Sequence, residues 1–191
     1  MGRTNLNATA NLDIQANRES AKYSRKEMTC RVLWMLGQCL FSLSPRSFFA
    51  WRRFVLRCFG AQIGQHVHIY PSAIVYFPWN LRVGDWSAIG EDVLVYNLGL
   101  VTLGEKVTIS HRAHLCAGTH DYTRADLPLL KPPITIGDQS WICSEAFVGP
   151  KVSVGEGAIV GARAVALKDV PPWTIVVGNP ARVVKKRDRP L

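Results

Sequence analysis

Five histidines, His66, His68, His111, His114 and His120, carry most of the acid–base chemistry this sequence can offer. An imidazole with its ordinary pKa of about 6.5 is partly neutral near pH 7, so it can take a proton from an attacking hydroxyl or ligate a metal ion. His120 is set apart by its neighbours. It opens directly onto residues 121–133, a stretch with three prolines that interrupts an otherwise regular pattern. Prolines forbid a regular strand ladder, and a long excursion from a regular scaffold is a usual place for a lid or binding loop. His111, His114 and His120 also raise a three-histidine metal site shared between subunits. Their spacing disfavours it, because His114 and His120 fall on different faces and His111 and His114 have the wrong phase to converge. Other motifs are weak. Cys30, Cys39, Cys58, Cys116 and Cys143 are odd in number and contain no CxxC, which fits buried thiols in a reducing compartment rather than disulfides or zinc. Gly155-Glu156-Gly157 with Gly161 has the wrong spacing for a dinucleotide loop and no helix after it.

The pattern that must position His120 is a recurrence of aliphatic residues every six positions. It runs Ile63, Ile69, Val75; Val83, Ile89, Val95; Leu103, Ile109, Leu115; and Ile136, Ile142, Val148, Val154, Val160, Ala166. Period six is not the helical 3.6, and so long a series predicts a hexapeptide solenoid in which each unit gives one short strand and one turn. Three units close a triangular coil of about eighteen residues, and coils stack about 4.8 Å apart with the aliphatic position filling the prism. Steps of eight at Val75–Val83 and Val95–Leu103 add two residues at a corner, and the step from Leu115 to Ile136 holds the proline-bearing loop. By this arithmetic Asn97 and His120 lie on the same side of adjacent coils. Ser144 and Ala162, eighteen apart, occupy the same place on successive coils.

The net charge of +9 is concentrated at the N-terminus, since ten of the 23 Lys and Arg precede residue 61 against three of the 14 Asp and Glu. Ser24-Arg25-Lys26-Glu27 reads as a capping box opening a helix to about Leu43. Pro45 is placed at the first position of a second helix that stops at Gly60. The apolar run 32–43 is too short for the roughly 20 residues that span a bilayer, and no signal-peptide cleavage pattern follows it. Two roles are open for the pair: capping the unpaired strand edges of the first coil, or a peripheral membrane contact of residues 25–59 through a basic amphipathic helix. No nucleic-acid-binding module is present.

Thr119-His120-Asp121-Tyr122, the proline-bearing loop, Ile134-Thr135-Ile136-Gly137-Asp138-Gln139-Ser140-Trp141-Ile142, and Lys168-Asp169-Val170-Pro171-Pro172 through Gly178-Asn179-Pro180-Ala181-Arg182-Val183 together resemble the hexapeptide-repeat acetyltransferases. Ser44-Pro45-Arg46-Ser47-Phe48-Phe49 and Ile69-Tyr70-Pro71-Ser72 extend the resemblance toward the colanic-acid-type exopolysaccharide O-acetyltransferases. The maltose, galactoside and nodulation acetyltransferases are related. The resemblance covers most of the chain and implies a left-handed parallel β-helix, a homotrimer, and acetyl-CoA in a groove between subunits, with no metal required. The hand is an exception to the right-handed crossover rule and does not follow from periodicity.

Residue by residue, the resemblance makes His120 the general base and puts Asn97 against the acceptor. Asn97 satisfying a turn is the alternative. Asp121 is assigned to the acceptor side, either orienting the imidazole or shaping the loop. CoA is expected along Ser144 and Ala162, beside Trp141, with Lys168, Arg182 and Lys185 for its phosphates and a backbone N–H near Ser144 for the oxyanion. Leu167, Arg163 and Cys143 depart from the family's threonine and glycines, which narrows the expected groove. The sequence therefore predicts an N-terminal basic helical segment (1–60), a β-helix acyltransferase domain (61–183, loop 121–133) and a basic tail (184–191). The expected enzyme is a cytoplasmic O-acetyltransferase, associated with the inner membrane face if the helices touch lipid, acting on a sugar in polysaccharide or glycan biosynthesis. The alternatives are a streptogramin-type acetyltransferase, which carries a similar histidine-bearing loop, a γ-type carbonic anhydrase-like metalloenzyme, and a non-catalytic scaffold.

Overall fold

The structure is a computed structural model and describes residues 11–189. Residues 1–10 of the basic segment and 190–191 of the tail lie outside the described residues. The fold is a left-handed parallel β-helix of about six turns preceded by helices. Strands stack into three faces. The first holds Gln62–Ile63, Leu81–Val83, Val101–Leu103, Ile134–Ile136 and Ser153–Val154. The second runs from His68–Ile69 through Ala88–Ile89, Thr108–Ile109, Trp141–Ile142 and Ile159–Val160 to Thr174–Val177. The third holds Ile74–Val75, Leu94–Tyr96, His114–Cys116, Phe147–Val148 and Val165–Ala166.

Every member of the six-residue series is buried, Ile63 at the open end being the most exposed at 7%. The register agrees with the coil arithmetic: Val83 pairs with Leu103, Ile142 with Val160 and Val148 with Ala166. A second inward position lies two residues before each aliphatic one and takes smaller side chains, such as Val93, Ala113, Ala146, Ala158 and Ala164. Ser87 and Ser140 occupy it too, and their hydroxyls donate to the carbonyls of Gly104 and Gly155. The tight corners place a residue in the left-handed region three positions after the aliphatic one, as at Asp92, Arg112, Glu145 and Arg163. Such a backbone costs about 1–2 kcal/mol for a residue with a Cβ, a cost that stacking of the coils on either side offsets.

Three helices precede the solenoid: α1 (Ile14–Glu19), α2 (Arg25–Ser42) and α3 (Phe49–Cys58). The capping box at Ser24 and Glu27 is fully formed. The second predicted helix starts later than Pro45, at Phe49, because residues 45–48 form a turn in which the Pro45 carbonyl accepts from Phe48 N and from Arg52. Gly60 ends the segment at φ 90°, as a left-handed stop should.

Along the stack, the carbonyl of each aliphatic residue accepts an N–H from the preceding coil: Gly64 N donates to Val83, Tyr70 N to Ile89, and Tyr76 N to Val95. The equivalent carbonyls of the first coil, Ile63, Ile69 and Val75, have no preceding coil. Side chains of the helices replace it. Arg57 donates to Ile63 through Nε and Nη2, Arg52 Nε donates to Ile69 (2.5 Å), and Trp34 Nε1 donates to Val75 (2.7 Å). Arg53 adds a bond to the Val67 carbonyl. Arg52 is fully buried and also donates to Ser44 Oγ and to the carbonyls of Pro45 and Arg46. Burial lowers its pKa from the usual guanidinium range. The helical pair is therefore a cap, and the arginines expected on a lipid-facing polar surface turn toward the solenoid instead. Among the described residues no helix is long and apolar enough to cross a membrane.

At the other end, Arg182–Lys186 pairs antiparallel with Thr174–Val177. The tail expected from residue 184 thus begins within a strand, the antiparallel ladder continuing through Lys186. Arg187 then donates to the carbonyls of Gln139 and Gly157 across a corner.

Candidate active site

The proline-bearing loop leaves the corner between the third and first faces as a hairpin, Thr119–His120 pairing antiparallel with Leu129–Leu130. Its return passes against Gly99, where an added Cβ would lie 2.4 Å from the carbonyl oxygens of Lys131 and Pro132, so only glycine lets the chain re-enter here. His120 is exposed, and its Nδ1 lies 2.7 Å from the Leu127 carbonyl oxygen. A carbonyl only accepts, so this contact requires the proton on Nδ1 and leaves Nε2 with its lone pair free. That is the tautomer a general base needs. Leu127 presents its carbonyl from the left-handed region, at φ 42°, a strained conformation for leucine.

The loop is held from outside by α1, an element the sequence did not predict. Asn17 is buried and its Nδ2 donates to the carbonyls of Asp126 (2.7 Å) and Leu127 (2.6 Å), while Asp13 N donates to the Ala125 carbonyl. Lys22 Nζ donates in turn to Asn17 Oδ1. A cavity of about 250 Å³ beside the imidazole is lined by Ile14, Asn17, Arg18, Lys22, His120 and Leu127. Contacts between residues more than a hundred positions apart, with no periodicity to announce them, leave no signal in one sequence.

Both acceptor-side residues bond within the chain. Asn97 is fully buried; its Oδ1 accepts from Phe77 N and its Nδ2 donates to the Phe77 carbonyl, so the amide satisfies a coil corner. Asp121 uses Oδ1 to accept from the hydroxyl (2.6 Å) and N–H (3.0 Å) of Thr123. Those bonds, the hydroxyl first, hold its carboxyl below the usual range. Among the described residues Asp121 makes no bond to the imidazole, so it shapes the loop.

The cofactor-side residues lie elsewhere. Ser144 and Ala162 share one row with His111 at the corner between the second and third faces, and Ser144 Oγ is 3.1 Å from His111 Nδ1. Trp141 projects from the second face, partly exposed, with Nε1 donating to Ser110 Oγ (2.8 Å). Ala162 is exposed and small. Arg163, which departs from the family's glycine, reaches Glu145 one coil away at 2.7 Å. Lys168 and Arg182 line a cavity of about 430 Å³ at the C-terminal end, and Lys185 lies outside its lining, on the outer strand opposite Ile175. One chain thus carries His120 and the Ser144–Ala162 row at different corners of the prism and does not bring them together.

His114 is separate from both. It packs edge-on against Phe147, its Nε2 is buried without a partner, and burial lowers its pKa from the ordinary imidazole value. Among the described residues no group of three His, Cys, Asp or Glu is placed to hold a metal ion within one chain.

The putative colanic acid biosynthesis acetyltransferase WcaF of Escherichia coli K12 is 40% identical over 154 residues, which span 81% of this chain and 85% of that protein. The chain belongs to the hexapeptide-repeat acetyltransferases. Solved members share its fold. The galactoside acetyltransferase structure in complex with coenzyme A superposes with a TM-score of 0.80 at 22% identity, covering 92% of this chain and 89% of that one. The hexapeptide-repeat acetyltransferase VCA0836 of Vibrio cholerae, complexed with acetyl coenzyme A, gives 0.79 at 24% identity, covering 88% and 93%. No family model matches the chain.

Proposed function

We propose that this acetyltransferase moves the acetyl group of acetyl-CoA directly to a hydroxyl of a saccharide, with His120 as general base. The observation that carries this is the Nδ1–H bond to the Leu127 carbonyl, which leaves Nε2 to receive the hydroxyl proton. As the oxygen attacks, its bond to the carbonyl carbon forms, the carbon–sulfur bond breaks, and the proton passes from Nε2 to the departing CoA thiolate. Trp141, Ser144 and Ala162 line the outward row for the pantetheine arm, and Lys168, Arg182 and Lys185 receive the phosphates. The related galactoside acetyltransferase is solved in complex with coenzyme A and is named for a galactoside, and WcaF is named for colanic acid biosynthesis, which supports both substrates.

His120 and the Ser144–Ala162 row occupy different corners, so a complete site needs the base of one subunit beside the row of another. This favours a closed homotrimer with three equivalent sites. Thiol release from acetyl-CoA, measured across nucleotide sugars, oligosaccharides and lipid-linked glycans, tests the reaction. His120→Ala should lower turnover roughly 10²–10⁴-fold with the fold intact; wild-type turnover in a folded variant removes the assignment. An active monomer in sedimentation would contradict the trimer.

A membrane contact is a second proposal, on altered grounds. The surface of α2 and α3 exposes Val32, Met35, Leu36, Leu40, Leu43, Phe48 and Phe54, with Leu43 85% exposed. Single exposed apolar residues are ordinary, whereas a contiguous set marks a contact. Placing this face against the cytoplasmic leaflet would keep the enzyme where acetyl-CoA and reduced cysteines are found.

A further inference from the structure

The cavity beside His120 has a chemical character that the proposed reaction does not by itself require. Two of its six lining residues are cations, Arg18 and Lys22. Neither forms an ion pair among the described residues. The carboxylates nearest in sequence to the cavity are all engaged elsewhere. Asp13 caps α1 by accepting from Ala16 N, Glu19 accepts from Gln15, Asp121 accepts from Thr123, and Asp126 pairs with Arg124. Among the described residues Lys22 Nζ hydrogen-bonds only to the neutral Asn17 amide oxygen, at 3.0 Å. The space facing the general base therefore carries two positive charges and no negative one.

Bracing the loop accounts for the Lys22 bond to Asn17 Oδ1 but not for the charge of either residue. Asn17 and the Asp13 N–H supply the hydrogen bonds to Ala125, Asp126 and Leu127, and Ile14 supplies the apolar wall. An uncharged helix would clamp the loop as well. A neutral sugar would gain nothing from ammonium and guanidinium groups that must be partly desolvated to meet it. An oxyanion within the same cavity would form charge-assisted bonds to both.

We propose that the acceptor is an anionic saccharide, bearing a phosphoryl or carboxylate group that Arg18 and Lys22 hold while its hydroxyl meets Nε2 of His120. This rests on the acetyl transfer proposed above and narrows its substrate class. It also gives α1 and the residues just after it two jobs with separable kinetics. Asn17 keeps the base aligned, so it bears on kcat, whereas Arg18 and Lys22 bear on acceptor KM.

The test uses the full-length enzyme with matched acceptors: a hexose 1-phosphate, a nucleotide diphosphohexose and a hexuronic acid, each against the uncharged methyl hexoside. At least one anionic acceptor should exceed the neutral one by tenfold or more in kcat/KM, and the arms identify phosphoryl or carboxylate. In Arg18→Gln/Lys22→Gln the KM for that acceptor should rise 10- to 100-fold while the KM for acetyl-CoA holds. Added salt should raise the acceptor KM of the wild type and barely move that of the variant. Asn17→Ala should lower kcat instead. Preference for the neutral hexoside, or an anionic acceptor KM unchanged in the double variant, overturns the inference and leaves acetyl transfer standing. No saccharide-dependent thiol release with any of these acceptors removes the reading beneath it, and the inference with it.

Discussion

Replacing Arg52 with methionine tests whether the N-terminal helices are a cap. The guanidinium is fully buried and donates to the carbonyls of Ile69, Pro45 and Arg46 and to Ser44 Oγ. Methionine fills much of the volume but leaves the Ile69 and Arg46 carbonyls without the guanidinium donors, while the Pro45 carbonyl keeps the Phe48 N–H. A buried orphan costs about 1–3 kcal/mol, and relief of the guanidinium's own desolvation offsets part of the sum. The expected loss is therefore about 3 kcal/mol, at the lower edge of what breaking a buried charged network costs. At roughly 2–4 °C per kcal/mol for a chain of this size, the melting temperature should fall by about 6–12 °C. Arg53→Met, which removes a single bond to the Val67 carbonyl, should cost about 1 kcal/mol. Thermal melts followed by circular dichroism compare the two, and limited proteolysis should cut the helical segment first in the Arg52 variant. Vesicle flotation completes the design: Arg52→Met should float as wild type, whereas Leu36→Glu, at a position 68% exposed, should melt normally and float less. An Arg52→Met melt within about 2 °C of wild type would refute the capping argument.

Ala162→Phe should leave melting and oligomer size unchanged, because the side chain points outward from the buried Val160, yet raise the KM for acetyl-CoA steeply; unchanged affinity would place the cofactor off this row. His114 has a folded pKa below its unfolded value of about 6.5 because burial disfavours the charged ring, so the unfolded chain binds the extra proton. Its contribution is complete above that pH and is lost as pH falls through the window down to the folded pKa. Urea midpoints should therefore drop on going from pH 7.5 toward pH 5, and His114→Leu should flatten that slope; an unaltered slope would mean another group governs it.

What one sequence reveals here divides by the range of the forces involved. The aliphatic hexad dictates the solenoid because each residue meets its own equivalent one coil away, so a local period encodes a long-range contact. Ser144 and Ala162 could be placed in one row for the same reason. The capping box was legible because its two bonds close over three residues. Where partners are unrelated by the repeat, the period is silent. Nothing in it says that Trp34, Arg52 and Arg57 stand in for a missing coil at Val75, Ile69 and Ile63. Asn97 shows the converse limit, since coil arithmetic put it on the same side as His120 but cannot say that its amide bonds the Phe77 backbone.

The site follows the same division. His120 was singled out because it interrupts the repeat, but the tautomer that the proposed base needs depends on a carbonyl seven residues on, presented by a strained leucine and clamped by an asparagine from α1. Strain at Leu127 is tolerable only while something holds the loop in place, so the helix that braces the base also sets the walls of the cavity in front of it. On this scaffold the solenoid provides invariant rows at fixed spacing, suited to a cofactor shared by many relatives. The groups proposed to discriminate acceptors, Arg18 and Lys22, come from the segment outside the repeat. Acceptor choice can then change through α1 and the loop without disturbing a single buried position of the prism.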